Sequence, residues 1–96
     1  MSLLTTPSHP GEVLSELYLV PLEMSAITLA TRLRVPRTRI ERLVKGETSL
    51  TVDTAMRLAR FFGTTPEYWM NLQRAWDLAR ARETMDLSHI TPFEAA

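Results

Sequence analysis

The stretch Ser25-Ala-Ile-Thr-Leu-Ala-Thr-Arg-Leu-Arg-Val-Pro-Arg-Thr-Arg-Ile-Glu-Arg-Leu-Val-Lys45 decides how this chain is read. Ser25 is a good N-cap, and Leu29, Ala30 and Leu33 recur as one inward face, which predicts a helix of about eight residues. Pro36 then enforces a break, because a proline pushes the residue before it out of the α region. Pro36 also suits the first position of a second helix, whose Ile40, Leu43 and Val44 form an i, i+3, i+4 apolar stripe until Gly46 supplies a left-handed stop. Two short helices joined by a tight turn, the second amphipathic and basic, are the geometry that fits a helix into a DNA major groove.

At about 100° per residue, Thr38, Glu41, Arg42 and Lys45 lie opposite the apolar stripe, with Arg37 and Arg39 on the flanks. The first turn of such a helix reaches base edges, so Arg37, Thr38 and, one turn on, Arg42 are expected to read sequence. Arg32, Arg34, Arg39 and Lys45 are expected to meet phosphates. The competing reading is a solvated face, which amphipathic helices ordinarily carry. Charge distribution favours an anion. Eleven basic and eleven acidic residues cancel over the chain, yet residues 32 to 45 hold six cations against Glu41 alone, a net +5, while residues 1 to 31 hold three acids and no Lys or Arg.

Around this motif the periodicity predicts an all-α chain of five helices. After His9-Pro10-Gly11, read as a turn, Val13, Leu14, Leu17 and Tyr18 form a first helix that Pro21 interrupts. Thr51 caps the fourth helix, with Ala55, Leu58, Ala59 and Phe62 inward and Gly63 ending it. Thr65 caps the fifth, Pro66 takes its first position, and Trp69, Leu72, Trp76 and Ala79 run along one side. That stripe is longer than a four-helix core should need, so these four residues are expected to form a dimer interface; the alternative is that Trp76 folds back on the first helix within a monomer. From Thr84 the pattern dissolves. The expected organisation is an N-terminal arm over 1–8, a helix-turn-helix domain with its C-terminal helix over 9–83, and a tail over 84–96 that is unstructured unless a partner holds it.

Composition narrows the rest. Ninety-six residues at 45% hydrophobic content suit one small core and argue against disorder. Without cysteine there is no disulfide framework, thiolate zinc site or cysteine nucleophile, and His9 and His89 lie eighty positions apart, so neither metal nor cofactor is expected. The N-terminus lacks a signal-peptide pattern and no run reaches the roughly 18 apolar residues of a membrane span, so a cytoplasmic location and no membrane contact are expected. No phosphate loop, HExxH, GxSxG or dinucleotide fingerprint is present, and an enzyme is not expected. His9 beside Glu12 reads as a turn and helix cap rather than an acid–base pair, since no third orienting group accompanies it. Arg74, Arg80 and Arg82 with Asp77 and Glu83 read as a solvated, mutually paired face.

A series of residues also carries a family resemblance: His9-Pro-Gly-Glu12, Leu29-Ala30, Val35-Pro36-Arg37, Arg39-Ile40, Val44, Gly46, Thr51, Asp53-Thr54-Ala55, Arg57-Leu58-Ala59-Arg60, Phe62-Gly63-Thr64, Pro66-Glu67, Trp69, Asn71-Leu72-Gln73 and Asp77-Leu78. Over about residues 8 to 83 the chain resembles the HigA/VapI type of antitoxin, within the lambda-repressor-like class of helix-turn-helix proteins. The resemblance implies a five-helix DNA-binding fold with an extended fifth helix. It also implies a dimer that binds double-stranded operator DNA to repress its own operon, and an antidote that binds a RelE-like, ribosome-dependent mRNA-cleaving toxin. Two positions depart from the pattern. Arg34 stands in the turn that usually carries Gly, so either a non-glycine residue takes a left-handed conformation or the turn is reshaped. Ala26 stands where the class often has a Gln that reaches a phosphate, so that contact is not carried over. Two further readings compete: a stand-alone phage-type transcriptional repressor, and a protein-binding module whose basic helix docks on an acidic partner.

Overall fold

The computed structural model describes residues 6–94; residues 1–5 of the expected arm and 95–96 of the expected tail lie outside them. The described residues form five helices, α1 (Pro10–Leu22), α2 (Ala26–Leu33), α3 (Arg37–Val44), α4 (Val52–Phe62) and α5 (Pro66–Thr84), and no strand. The N-caps expected at Ser25, Thr51 and Thr65 each accept a backbone N–H, from Thr28, Thr54 and Tyr68 respectively. Gly46 and Gly63 end α3 and α4 with φ of 75° and 70°. Pro36 is the N-cap of α3 in extended conformation rather than its first helical residue, so α3 begins one position later than expected.

Helix α1 departs most from the expectation. Its middle, Ser15–Leu19, is a wide π turn, and the helix runs through Pro21 to Leu22 instead of stopping before it. A proline ring crowds the carbonyl four residues back and has no N–H to give, and the wider turn just before Pro21 relieves that crowding. The extra residue in the turn rotates the inward face: Leu19 enters the core and Leu17, expected inward, is 57% exposed. Gly11 is not a turn residue but the point where α1 meets α3, for a Cβ there would lie 1.7 Å from the Leu43 carbonyl oxygen. Glycine is thus required by close approach, not by backbone conformation.

Leu14, Leu19, Leu29, Leu33, Ile40, Leu43, Leu50, Leu58 and Trp69 make one core under the helix-turn-helix. Trp69 has 0% exposure and its indole N–H donates to Thr64 Oγ1 at 2.7 Å, so the expectation that it reaches a dimer partner is corrected: it is a core residue. Gln73, also buried, accepts the Leu50 N–H at 2.7 Å and donates to Asp77 at 2.9 Å, tying α5 to the loop after α3. Beyond Trp76, whose indole still meets the His9 ring, the helix leaves the body. The radius of gyration is 16.3 Å, against about 13 Å for a compact chain of this length, because the far half of α5 and the segment after it project from the domain.

Candidate nucleic-acid interface

The outward face of α3 follows from its inward one. Ile40 and Leu43 are buried against α2, and that rotation leaves Arg37, Thr38, Arg42 and Lys45 exposed. Arg34, at the end of α2, adopts φ 61° and ψ 47°, so the turn keeps its left-handed shape with a non-glycine residue in it. The Val35 N–H donates back to the Ala30 carbonyl at 3.0 Å and closes that turn.

A short polar chain fixes α3 against its neighbours. One oxygen of Asp53, in the first turn of α4, accepts from both Arg39 and Arg57, the latter at 2.9 Å. Arg57 also donates to the Leu33 carbonyl at 2.9 Å, so the last turn of α2, the start of α4 and the face of α3 are joined through two guanidiniums that share the Asp53 carboxylate. The two arginines hold the Asp53 carboxyl below the usual carboxylate range, Arg57's hydrogen bond contributing most. Exposed ion pairs add little stability, so this chain acts by orienting α3. Arg39, expected at phosphates, uses one nitrogen on Asp53 and keeps other N–H groups outward.

Thr38, Arg39 and Arg42 share a groove of about 360 Å³ with Thr48, Ser49 and Thr51. Thr51 is the expected helix cap, whereas Thr48 and Ser49 are not singled out by the sequence reading; their signal is a hydroxyl pair just before that cap. Other expected residues are placed elsewhere. Arg32 lies over the Phe61 ring, 5.2 Å from its centroid, in a separate groove between α2 and α4. Lys45 lines a third groove with Glu12, Glu16 and Trp76, where two carboxylates offset its charge.

His9 caps α1 as expected: the Gly11 N–H donates to its Nδ1 at 2.9 Å. Burial lowers its pKa, against the opposing influence of a hydrogen bond to the Thr48 backbone and the charges of Asp77 and Glu12. Trp76 packs edge-on against this ring with centroids 5.3 Å apart, so part of the indole is covered within the chain. The paired face expected on α5 is arranged differently: Asp77 accepts from Gln73, Arg74 donates to Asn71 and Arg80 lies over Trp76. Among the described residues no group of three or more His, Asp or Glu side chains gathers as a metal site, and no single helix is long and apolar enough to cross a membrane.

Comparison with known proteins agrees with this geometry. Residues 16–69 match the helix-turn-helix family. Virulence-associated protein I of Dichelobacter nodosus is 45% identical over 75 residues, which cover 78% of this chain and 69% of that protein. Among solved structures, an addiction module antidote protein of the HigA family from Coxiella burnetii is 43% identical with a TM-score of 0.79, covering 93% of this chain and 100% of that one. The Pseudomonas aeruginosa antitoxin HigA, solved with the higBA promoter, is 32% identical with a TM-score of 0.84 and covers 93% of this chain and 97% of that one. The chain therefore belongs to the helix-turn-helix family, in the group that contains the HigA antitoxins and virulence-associated protein I.

Proposed function

We propose that this chain is the cytoplasmic antitoxin of a toxin–antitoxin pair, which as a homodimer places α3 in the major groove of operator DNA, represses its own operon and neutralises a RelE-like mRNA-cleaving toxin. The observation that carries the DNA reading is the exposed row Arg37, Thr38 and Arg42 on a helix whose opposite face is locked in the core. In this reading those three side chains meet base edges, and Arg34, Arg39 and Lys45 meet phosphates. Arg32 joins them only by leaving Phe61. The structure of the Pseudomonas aeruginosa antitoxin HigA with the higBA promoter supports DNA binding by a chain of this fold. Two major grooves on one side of a palindrome lie about 34 Å apart, which calls for two copies at fixed separation. Leu72 packs partly against the core, and Trp76 and Ala79, one turn apart on one side of the far half of α5, supply the pairing surface.

Fluorescence anisotropy with DNA from upstream of the gene tests the repressor role, and saturable binding that survives excess random DNA is expected. Equal affinity for both DNAs overturns it. Co-purification with the product of the adjacent small open reading frame, and rescue of growth when that product is expressed, test the antitoxin role; operator binding without either leaves a stand-alone regulator.

A further inference from the structure

The groove between α2 and α4 has the chemistry of a peptide site. Its volume is about 710 Å³, Arg32, Arg57 and Arg60 rim it together with one acid, Asp53, and Met56, Leu33 and Phe61 line its apolar part. Met56 is 55% exposed although it sits mid-helix on the domain's surface. Arg57 is already engaged by Asp53 and Leu33, which leaves Arg32 and Arg60 as the cations that face an incoming group. DNA phosphate needs no apolar floor, so the groove suits an acidic segment that also carries large apolar side chains.

The chain itself contains such a segment. After Arg82 it has no further Lys or Arg, and Glu83, Asp86 and Glu94 alternate with Met85, Leu87, Ile90 and Phe93. Those four apolar side chains are uncovered in the single chain, Phe93 at 92% exposure. No residue of this segment lines the groove, whose Phe61 end adjoins the start of α5 while the segment leaves from the other end, about 28 Å further along the helix. Ten residues in extended form, reached by opening the turn that the Ile90 N–H closes on the Leu87 carbonyl, span about 33 Å, which exceeds the 27 Å intermediate width of the molecule.

Resting on the homodimer proposed above, we infer that residues 85–94 of each copy lie in the Arg32–Arg60 groove of the other, so that the dimer is closed by reciprocal exchange of its C-terminal segments. The exchange covers the apolar residues that a single chain leaves in water, pairs Asp86 and Glu94 with Arg32 and Arg60, and keeps both away from α3. It is isologous, so it needs no third component.

The absence of cysteine from the chain makes the test direct. Phe93→Cys and Met56→Cys, both at exposed positions, are purified separately as full chains, mixed under reducing conditions and then oxidised. The expected product is the mixed disulfide dimer, formed faster than either self-linked dimer. Arg60→Glu in the Met56→Cys chain is expected to slow its formation by about tenfold, the loss of one charge-assisted contact, and Asp86→Lys with Glu94→Lys in the partner to restore it. Self-linked Phe93→Cys dimers without the mixed species, or intrachain closure of the double variant, overturn the exchange. Sedimentation of the unmodified chain separates the two levels: a dimer that fails to form the mixed disulfide refutes the exchange alone, and a monomer refutes the dimer as well.

Discussion

The side-chain oxygen of Gln73 accepts the N–H of Leu50 at 2.7 Å inside the core, and this one bond joins α5 to the loop that follows α3. Leu50 is itself buried, so its N–H has no route to water if that oxygen is removed. Gln73→Leu is therefore expected to cost about 1–3 kcal/mol, the penalty for an unsatisfied buried donor, rather than the smaller net worth of an average hydrogen bond. Urea unfolding followed by circular dichroism measures it. A loss below half a kilocalorie per mole means that the loop finds another acceptor.

Arg34 supplies a prediction in which stability and binding move in opposite directions. A left-handed conformation strains any residue with a Cβ, and glycine escapes that strain, which outweighs the larger backbone entropy it loses on folding. Arg34→Gly is expected to stabilise the fold by about 0.5–1 kcal/mol while weakening operator binding, since a cation near the DNA is lost. Thermal unfolding and anisotropy, run on the same samples, read the two effects. A destabilised variant would mean that the Arg34 side chain does more for the fold than its exposed position suggests.

Much of this was readable because it is local. Ser25, Thr51 and Thr65 cap the helices they precede, Gly63 ends α4, and His9 caps α1; each needs only its near neighbours in sequence. What was misread depends on elements far apart or on a change of helical period. The exchange of Leu17 for Leu19 comes from a π turn that a 3.6-residue period does not anticipate, and Gly11 is needed because α3 arrives there from thirty residues away. Trp69 and Trp76 stand at identical spacing on one face, yet Trp69 lies within the core and Trp76 meets His9 at its edge. Asp53 and Arg57 form a local i, i+4 pair, but Arg39 reaches the same carboxylate from fourteen residues away, which only tertiary structure brings about.

His9 makes stability depend on pH in a defined window. The Gly11 N–H points at Nδ1, so the fold holds the ring neutral with its proton on Nε2, and burial lowers its pKa below the ordinary 6.5 despite Asp77 and Glu12 nearby. A group whose folded pKa is lowered contributes fully above its unfolded value and loses that contribution as pH falls through the folded one. Urea midpoints are thus expected to drop on acidification below about 6.5. His9→Asn, which keeps a capping oxygen without a titrating ring, is expected to flatten that part of the profile. Asp53 acts in a separate, more acidic window, because its lowered pKa removes its contribution only as pH falls below the usual carboxylate range. An unchanged profile in His9→Asn assigns the acid sensitivity elsewhere.

Arg42 and Lys45 share the exposed side of α3 but not its surroundings. Arg42 lines the groove with Thr38 and Thr48, whereas Lys45 lies among Glu12 and Glu16. Arg42→Ala is expected to cost about 1–3 kcal/mol on the operator and to relax preference at one base pair per half-site. Lys45→Ala is expected to weaken operator and random DNA alike and by less. A dimer with about 6–10 phosphate contacts loses roughly 10³ to 10⁵ in affinity between 50 and 200 mM salt, so the salt slope is measured alongside. Equal losses on both DNAs for Arg42→Ala refute base reading; a flat salt profile favours a protein partner for α3.

The pairing surface on α5 is best probed away from the core. Trp76→Glu breaks the edge contact with His9 as well as any contact between copies, so a monomer produced by that change has two explanations. Ala79, one turn on and on the same side as Trp76, is half-buried and outside the core cluster, so Ala79→Glu is expected to leave the fold intact. A carboxylate in an apolar interface has to be desolvated without a partner, which outweighs the few hundred Å² of apolar contact that two such helices offer. Sedimentation is expected to show a folded monomer. Operator affinity is then expected to fall by about 10² to 10⁴, because a single α3 forfeits the effective concentration that a rigid dimer gives the second half-site. An Ala79→Glu chain that remains dimeric with unchanged affinity refutes this surface and leaves pairing to another face.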